Sequence, residues 1–170
     1  FWVCVVTVLM GCFGIFPAKR YTKFISWDIL ITIACALAIS RAMVNSGLAD
    51  FIAAHVIDFA NGVSPWTVLV VLYITTNIIT ELITNNAAAA FAFPIAMSAA
   101  QQLGVDPMPF FVAICIASSA SFSSPIGYQT NLIVQGIGNY RFKDFVRVGL
   151  PLNIITFVLS IVLIPLFWDF

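Results

Sequence analysis

The segment TTNIITELITNNAAAAF, residues 75–91, decides how this chain is to be read. Four threonines, three asparagines and the carboxylate of Glu81 interrupt a continuously apolar sequence, and four alanines follow at once. In a water-soluble protein such a patch would be a surface loop. Here apolar runs on both sides place it at the depth of a lipid bilayer. Backbone leaves the helix at that depth only where protein buries it or a water-filled cavity lies beside it. The expectation is a binding site held open inside a membrane.

Composition supports that setting. Of the 170 residues, 62% are hydrophobic and 8% charged, with a mean hydropathy of +1.07. Soluble domains carry roughly 25% charged residues, so the composition is that of a membrane protein. The net charge of zero argues against nucleic acid or another polyanion as partner. Cys4, Cys12, Cys35 and Cys115 lie in apolar runs without C-x-x-C pairing and read as small buried hydrophobes. The chain opens on Phe1, inside an apolar run, with neither an initiator Met nor the basic start of a signal peptide. It reads as a piece of a longer protein.

Outward from the central segment, the chain divides into three parts. Residues 1–65 are expected to form transmembrane scaffold and connecting helices. A spanning helix over 1–16 is followed by a second from about 28 to 45, broken by Asn45, Ser46 and Gly47, and by an amphipathic segment over 48–60 that lies along the interface or against the bundle. Residues 66–138 hold two apolar helices, 66–83 and 87–101, joined at Thr84, Asn85 and Asn86, then a short helix over 110–122 ending in SSPIGYQTN, residues 123–131. The first two fall short of the roughly 20 residues of a full span once their polar ends are discounted, so a re-entrant hairpin fits better than two crossings. Pro125 and Gly127 unwind the backbone after the third, and a short helix resumes over 132–138. Residues 139–170 are a polar loop, NYRFKDFVR, and a last span from Val148 to Trp168 with Pro151 in its first turn.

Parity gives an orientation. With a hairpin that returns to the side it left, loops 17–27 and 139–147 share one face. Lys19, Arg20, Lys23, Arg141, Lys143 and Arg147 then all lie there, which the positive-inside rule assigns to the cytoplasm.

Two helix breaks, both rich in Ser, Thr, Asn, Gln and Gly and both without a cationic side chain, are the sequence pattern of a transporter site. N–H groups at helix starts face anions there, and carbonyls at helix ends coordinate sodium. The run of alanines lets helices approach closely. Glu81 has two readings of equal weight: a cation ligand or proton carrier at depth, or an acceptor of backbone and hydroxyl hydrogen bonds that holds the hairpin tip. No G-x-S-x-G, H-E-x-x-H, Walker A or G-x-G-x-x-G motif is present, so the chain does not read as an enzyme and no organic cofactor is expected.

TELITNNAAAA, residues 80–90, resembles the second Ser-Asn-Thr hairpin motif of the divalent anion:sodium symporters. ASSASFSSPIGYQTNLIVQG, residues 117–136, is similar to that family's second unwound loop, and RFKDFxRxGLP, residues 141–151, to the family's stretch between that loop and the last helix. The resemblance implies an all-α, inverted-repeat elevator-type transporter of which this is the C-terminal half, with the N-terminal repeat as its partner and a homodimer as the family's assembly. It places a sodium ion on Thr80, Ile83, Asn85 and Gly127. It places the divalent anion on Thr84, Asn85 and Asn86 at the hairpin tip and on Gly127, Tyr128, Gln129, Thr130 and Asn131 in the loop. Tyr128 and Gln129 stand where the family has a small hydroxyl and a proline, which narrows the pocket and favours sulfate, with a C4-dicarboxylate as the alternative. Coupling by protons through Glu81 is a second possibility. The rival functions are an arsenite or sodium/proton exporter of the wider ion-transporter group and a non-transporting membrane subunit.

Overall fold

A computed structural model describes residues 2–14, 27–59 and 64–170, and these are helical with no strand among them. The helices are α1 (Trp2–Cys12), α2 (Trp27–Asn45), α3 (Leu48–Phe59), α4 (Pro65–Leu82), α5 (Asn85–Leu103), α6 (Met108–Ser119), α7 (Gln129–Gly138) and α8 (Phe142–Phe167). One unit comprises Phe1–Ala34 and a second Cys35–Phe170. The basic cluster Lys19, Arg20, Lys23, with nearly all of loop 17–27, falls outside the described residues.

In the first unit, α1 stops short of the span expected over 1–16. Gly14 takes φ +67° just past the last turn, where its N–H reaches back to Gly11 at 3.1 Å, and eleven residues rise only about 16 Å.

The second unit carries the chemistry. The expected break at Asn45–Gly47 is present: Gly47 has φ +75°, and the later part of α2 meets α3 at 75°. α3 packs on α5 through Ala49 and Ala53, and Ser98 of α5 donates a hydrogen bond to Asp50 of α3. Ser64 takes the N-cap position of α4 without a side-chain cap, with Pro65 in the first helical position where a missing N–H costs nothing. Val68, Leu69, Leu72 and Tyr73 of α4 are buried against Ala92, Ala96, Ala99 and Ala100 of α5 and Phe110, Ala113, Ile114 and Ala117 of α6. Small residues on α5 let three helices meet closely, and Gly104 ends that helix at φ +68° with backbone bonds to Ala100 and Gln101. Asp106 accepts a bond from the Met108 N–H at 2.8 Å and starts α6.

α8 runs antiparallel to α4. Trp66, at the start of α4, donates to the Ile161 carbonyl at 3.4 Å, while Glu81, at its end, meets Asn153. α8 also corrects the expected polar loop over 139–147: the helix begins at Phe142, six residues before Val148. Asp144 accepts from the Arg141 N–H at 2.8 Å and nucleates the first turn, so Pro151 lies well inside the helix. Only α4 and α8, among the described residues, are each long and apolar enough to cross a membrane, and the bent α2–α3 pair is a third candidate. α4, Pro65–Leu82, has the 18 residues expected of the arm over 66–83, shifted by one, and by length and composition alone it is itself a candidate span.

Candidate functional site

The first break is two residues long. Ile83 leaves α4 with its N–H on the Ile79 carbonyl, and Thr84 is already the extended N-cap of α5. Asn85 and Asn86 thus belong to the first turn of α5 rather than to a joint. Thr84 gives the helix no side-chain cap, which leaves N–H donors at the positive end of the helix dipole without a side-chain acceptor.

The second break covers residues 120–128, three residues earlier than the sequence pattern indicated. Its shape is held from α7: the Asn131 amide donates to the Ser121 and Ser124 carbonyls, both at 3.2 Å, and Ser124 Oγ accepts the Ile126 N–H at 3.0 Å. Gln129, Thr130 and Asn131 are therefore helical, and Tyr128 is their N-cap, again without a side-chain cap. Asn131 spends both amide protons on the loop, so that side chain supports the break.

The two breaks meet at Gly127. A Cβ there would collide with Ser121 Oγ and the Thr80 backbone carbonyl, and only glycine allows that approach. Ser121 donates to the Thr80 carbonyl at 3.1 Å, and Thr80 Oγ1 donates to the Ser118 carbonyl at 2.6 Å. Having a single proton, the Thr80 hydroxyl cannot also donate to Asn85 2.9 Å away. The consistent assignment turns the Asn85 amide so that its nitrogen, with two protons to donate, faces three acceptors: Ser118 O at 3.1 Å, Gly127 O at 3.3 Å and Thr80 Oγ1 at 2.9 Å. One side-chain amide is thereby surrounded by three oxygens from α4, the end of α6 and the loop. Asn77 adds support by donating to the Ala117 and Ala120 carbonyls, at 3.4 and 2.8 Å, at the end of α6.

Of the predicted cation set, Thr80, Asn85 and Gly127 are brought together, while Ile83 is exposed at the break. Of the predicted anion set, Thr84, Asn86, Tyr128 and Thr130 are exposed at the starts of α5 and α7. Glu81 follows the second of its two sequence readings as far as one oxygen goes: Oε1 accepts from the Ser123 N–H at 3.0 Å and from the Asn153 amide at 2.7 Å. A cavity of about 290 Å³ lies elsewhere, between the loop, α7 and α8. It is lined chiefly by Phe122, Val134, Tyr140, Phe145 and Leu152, and Asn131 alone of the predicted residues touches it, so it is too apolar to hold an anion.

With this geometry in place, comparison with known proteins is decisive. A family profile described as "Citrate transporter" matches residues 1–169. The chain belongs to the citrate transporter family. It is 38% identical over 161 residues to a Synechocystis protein described as an uncharacterized transporter, covering 95% of this chain and 26% of that one. It is 38% identical over 156 residues to sodium/sulfate cotransporter 1 of Chlamydomonas reinhardtii, covering 90% and 18%. It is 28% identical over 142 residues to the sodium-dependent dicarboxylate transporter SdcS of Staphylococcus saprophyticus, covering 84% and 27%. The chain thus spans about a quarter or less of these relatives, and the resemblance to the divalent anion:sodium symporters is borne out. The family's own description is that of a transporter rather than an enzyme.

Sequence reasoning passed over several residues of this candidate site. Asn77 stands one helical turn before Thr80, a polar residue on the same face of an oily helix, and its spacing was a usable signal. Ser118, Ser121 and Ser123 sit inside the loop motif, where nothing in the spacing tells one serine from the next. Asn153, deep in the last span and 8% exposed, carried the signal of an amide inside an apolar helix.

Proposed function

We propose that the full-length protein is a sodium-coupled symporter of a divalent anion, and that this chain is the repeat containing one cation site and half or more of the anion site. The observation that carries the proposal is the convergence of Thr80 Oγ1, Ser118 O and Gly127 O on the Asn85 amide. Rotated by half a turn, the same amide points its oxygen at those three oxygens. Four uncharged oxygen ligands are suited to a hard monovalent cation and to nothing that donates directionally. The amide accordingly has two states. Without the cation its nitrogen satisfies the surrounding oxygens, and with the cation its oxygen joins them.

The order of events follows from the connectivity. Sodium fastens the end of α4 and the start of α5 to the loop at Gly127, which sets the uncapped starts of α5 and α7 in one relative position. The anion then takes N–H and hydroxyl donors from Thr84, Asn85, Asn86, Tyr128, Gln129 and Thr130. Two helix N-termini and neutral side chains replace a fixed positive charge. Residues 66–138 act as the moving transport segment, as a re-entrant hairpin and an unwound helix, against the scaffold of residues 1–65. The assembly is an inverted-repeat elevator homodimer with the basic segments 17–27 and 139–147 on the cytoplasmic side. The size of Tyr128 favours sulfate over a C4-dicarboxylate.

Uptake of radiolabelled sulfate and succinate by the full-length protein in proteoliposomes tests this reading. Accumulation that requires an inward sodium gradient supports it. Flux of neither anion, or flux indifferent to sodium, overturns it.

A further inference from the structure

Glu81 lies in the last turn of α4, where the helix dipole is negative and no basic residue stands. Both partners of its Oε1 are neutral: the Ser123 N–H from the loop and the Asn153 amide from α8. The second proton of that amide goes to Ser123 Oγ at 2.9 Å. Every amide donor in the cluster is therefore spent. Two acceptors remain without a partner, Glu81 Oε2 and Asn153 Oδ1, and both are buried. Asn153 itself is 8% exposed, and its orientation is fixed because its nitrogen must face the carboxylate. The cluster is an excess of buried acceptor oxygens around a carboxylate, and a carboxylate so placed calls for a compensating partner.

We infer that Glu81 Oε2, Asn153 Oδ1 and Ser123 Oγ form a second cation site that takes a sodium ion, separate from the one around Asn85. The inference rests on the sodium-coupled reading of the protein and extends it. A small monovalent cation neutralises the carboxylate, accepts oxygen ligands without needing a directional donor, and joins three elements, the end of α4, the loop and α8. Gly149 makes the meeting possible. One turn before Asn153, its missing Cβ admits the backbone of Phe122 and Ser123 against α8. The last span is thereby tied to the same hairpin end that the first site fastens to the loop.

Radiolabelled sodium bound per chain by the purified full-length protein tests the inference, with the melting temperature in potassium as the control for folding. Glu81→Gln keeps the shape and removes the charge. It is expected to bind one sodium fewer than wild type and to show a smaller rise in melting temperature on replacing potassium with sodium. Asn85→Ala is expected to lose a different single ion, and the double variant two. Asn153→Ala serves if Glu81→Gln does not fold, with the same expected loss of one ion. Sodium binding by Glu81→Gln equal to wild type overturns the inference, including the case in which the carboxylate holds a proton instead. Loss of an ion in Glu81→Gln with none lost in Asn85→Ala upholds this second site and removes the first.

Discussion

Gly127→Ala probes the contact between the two breaks with a single methyl group. The added Cβ meets Ser121 Oγ and the Thr80 backbone carbonyl at distances no real side chain tolerates. Ser121 can rotate away, but only by giving up its 3.1 Å bond to the Thr80 carbonyl, a loss of about 1 kcal/mol. The Thr80 carbonyl cannot rotate, so the end of α4 or the loop must shift, and overpacking of this kind costs about 1–3 kcal/mol. The sum is roughly 2–4 kcal/mol, charged to the geometry that holds the cation, and it converts to a roughly 30- to 1,000-fold rise in the sodium concentration for half-maximal uptake. The assay is initial-rate uptake of labelled sulfate and succinate against sodium concentration in proteoliposomes. Ser121→Ala in the same background removes one of the two collisions and should restore part of the loss. An unchanged sodium dependence in Gly127→Ala would show that the loop does not rest on Thr80 in the working protein, and the cation site built on that contact would fall with it.

Thr80→Val keeps the shape of a buried side chain while removing the hydroxyl that donates to Ser118 O at 2.6 Å. It should cost about 1–2 kcal/mol and weaken sodium binding in a titration by roughly 5- to 30-fold. Asn77→Leu strips the donors from the Ala117 and Ala120 carbonyls at the end of α6 and should lower the melting temperature, at a cost of about 1–3 kcal/mol, while leaving the preference between sulfate and succinate unaltered. Gly149→Ala pushes α8 away from Phe122 and Ser123. Thermal unfolding should register about 1–3 kcal/mol of destabilisation, together with slower uptake. Tyr128→Thr enlarges the space beside the start of α7, and competition assays should show the ratio of succinate to sulfate uptake rising.

The fold was legible in the sequence wherever the signal was local. Apolar periodicity gave α3 to within a residue, Gly47 marked a turn that needs a left-handed backbone, and the polar run at residues 84–86 marked the hairpin tip. Boundaries that depend on a contact were missed. α7 starts at Gln129 because the Asn131 amide reaches back to Ser121 and Ser124, and α8 starts at Phe142 because Asp144 closes on Arg141. Neither is visible as hydropathy. The site divides in the same way. Thr80, Asn85 and Gly127 come from the resemblance to known motifs and converge in space. The partners of Glu81 lie 42 and 72 residues away, a separation no local pattern encodes.

Sulfate and succinate binding to the purified full-length protein, titrated at increasing sodium in wild type and Asn85→Ala, tests the central claim most directly. The transported anion is expected to bind wild type only as sodium rises, and Asn85→Ala to lose both the anion and its sodium dependence. Anion binding of full strength in the absence of sodium, or unaffected by Asn85→Ala, would contradict the claim.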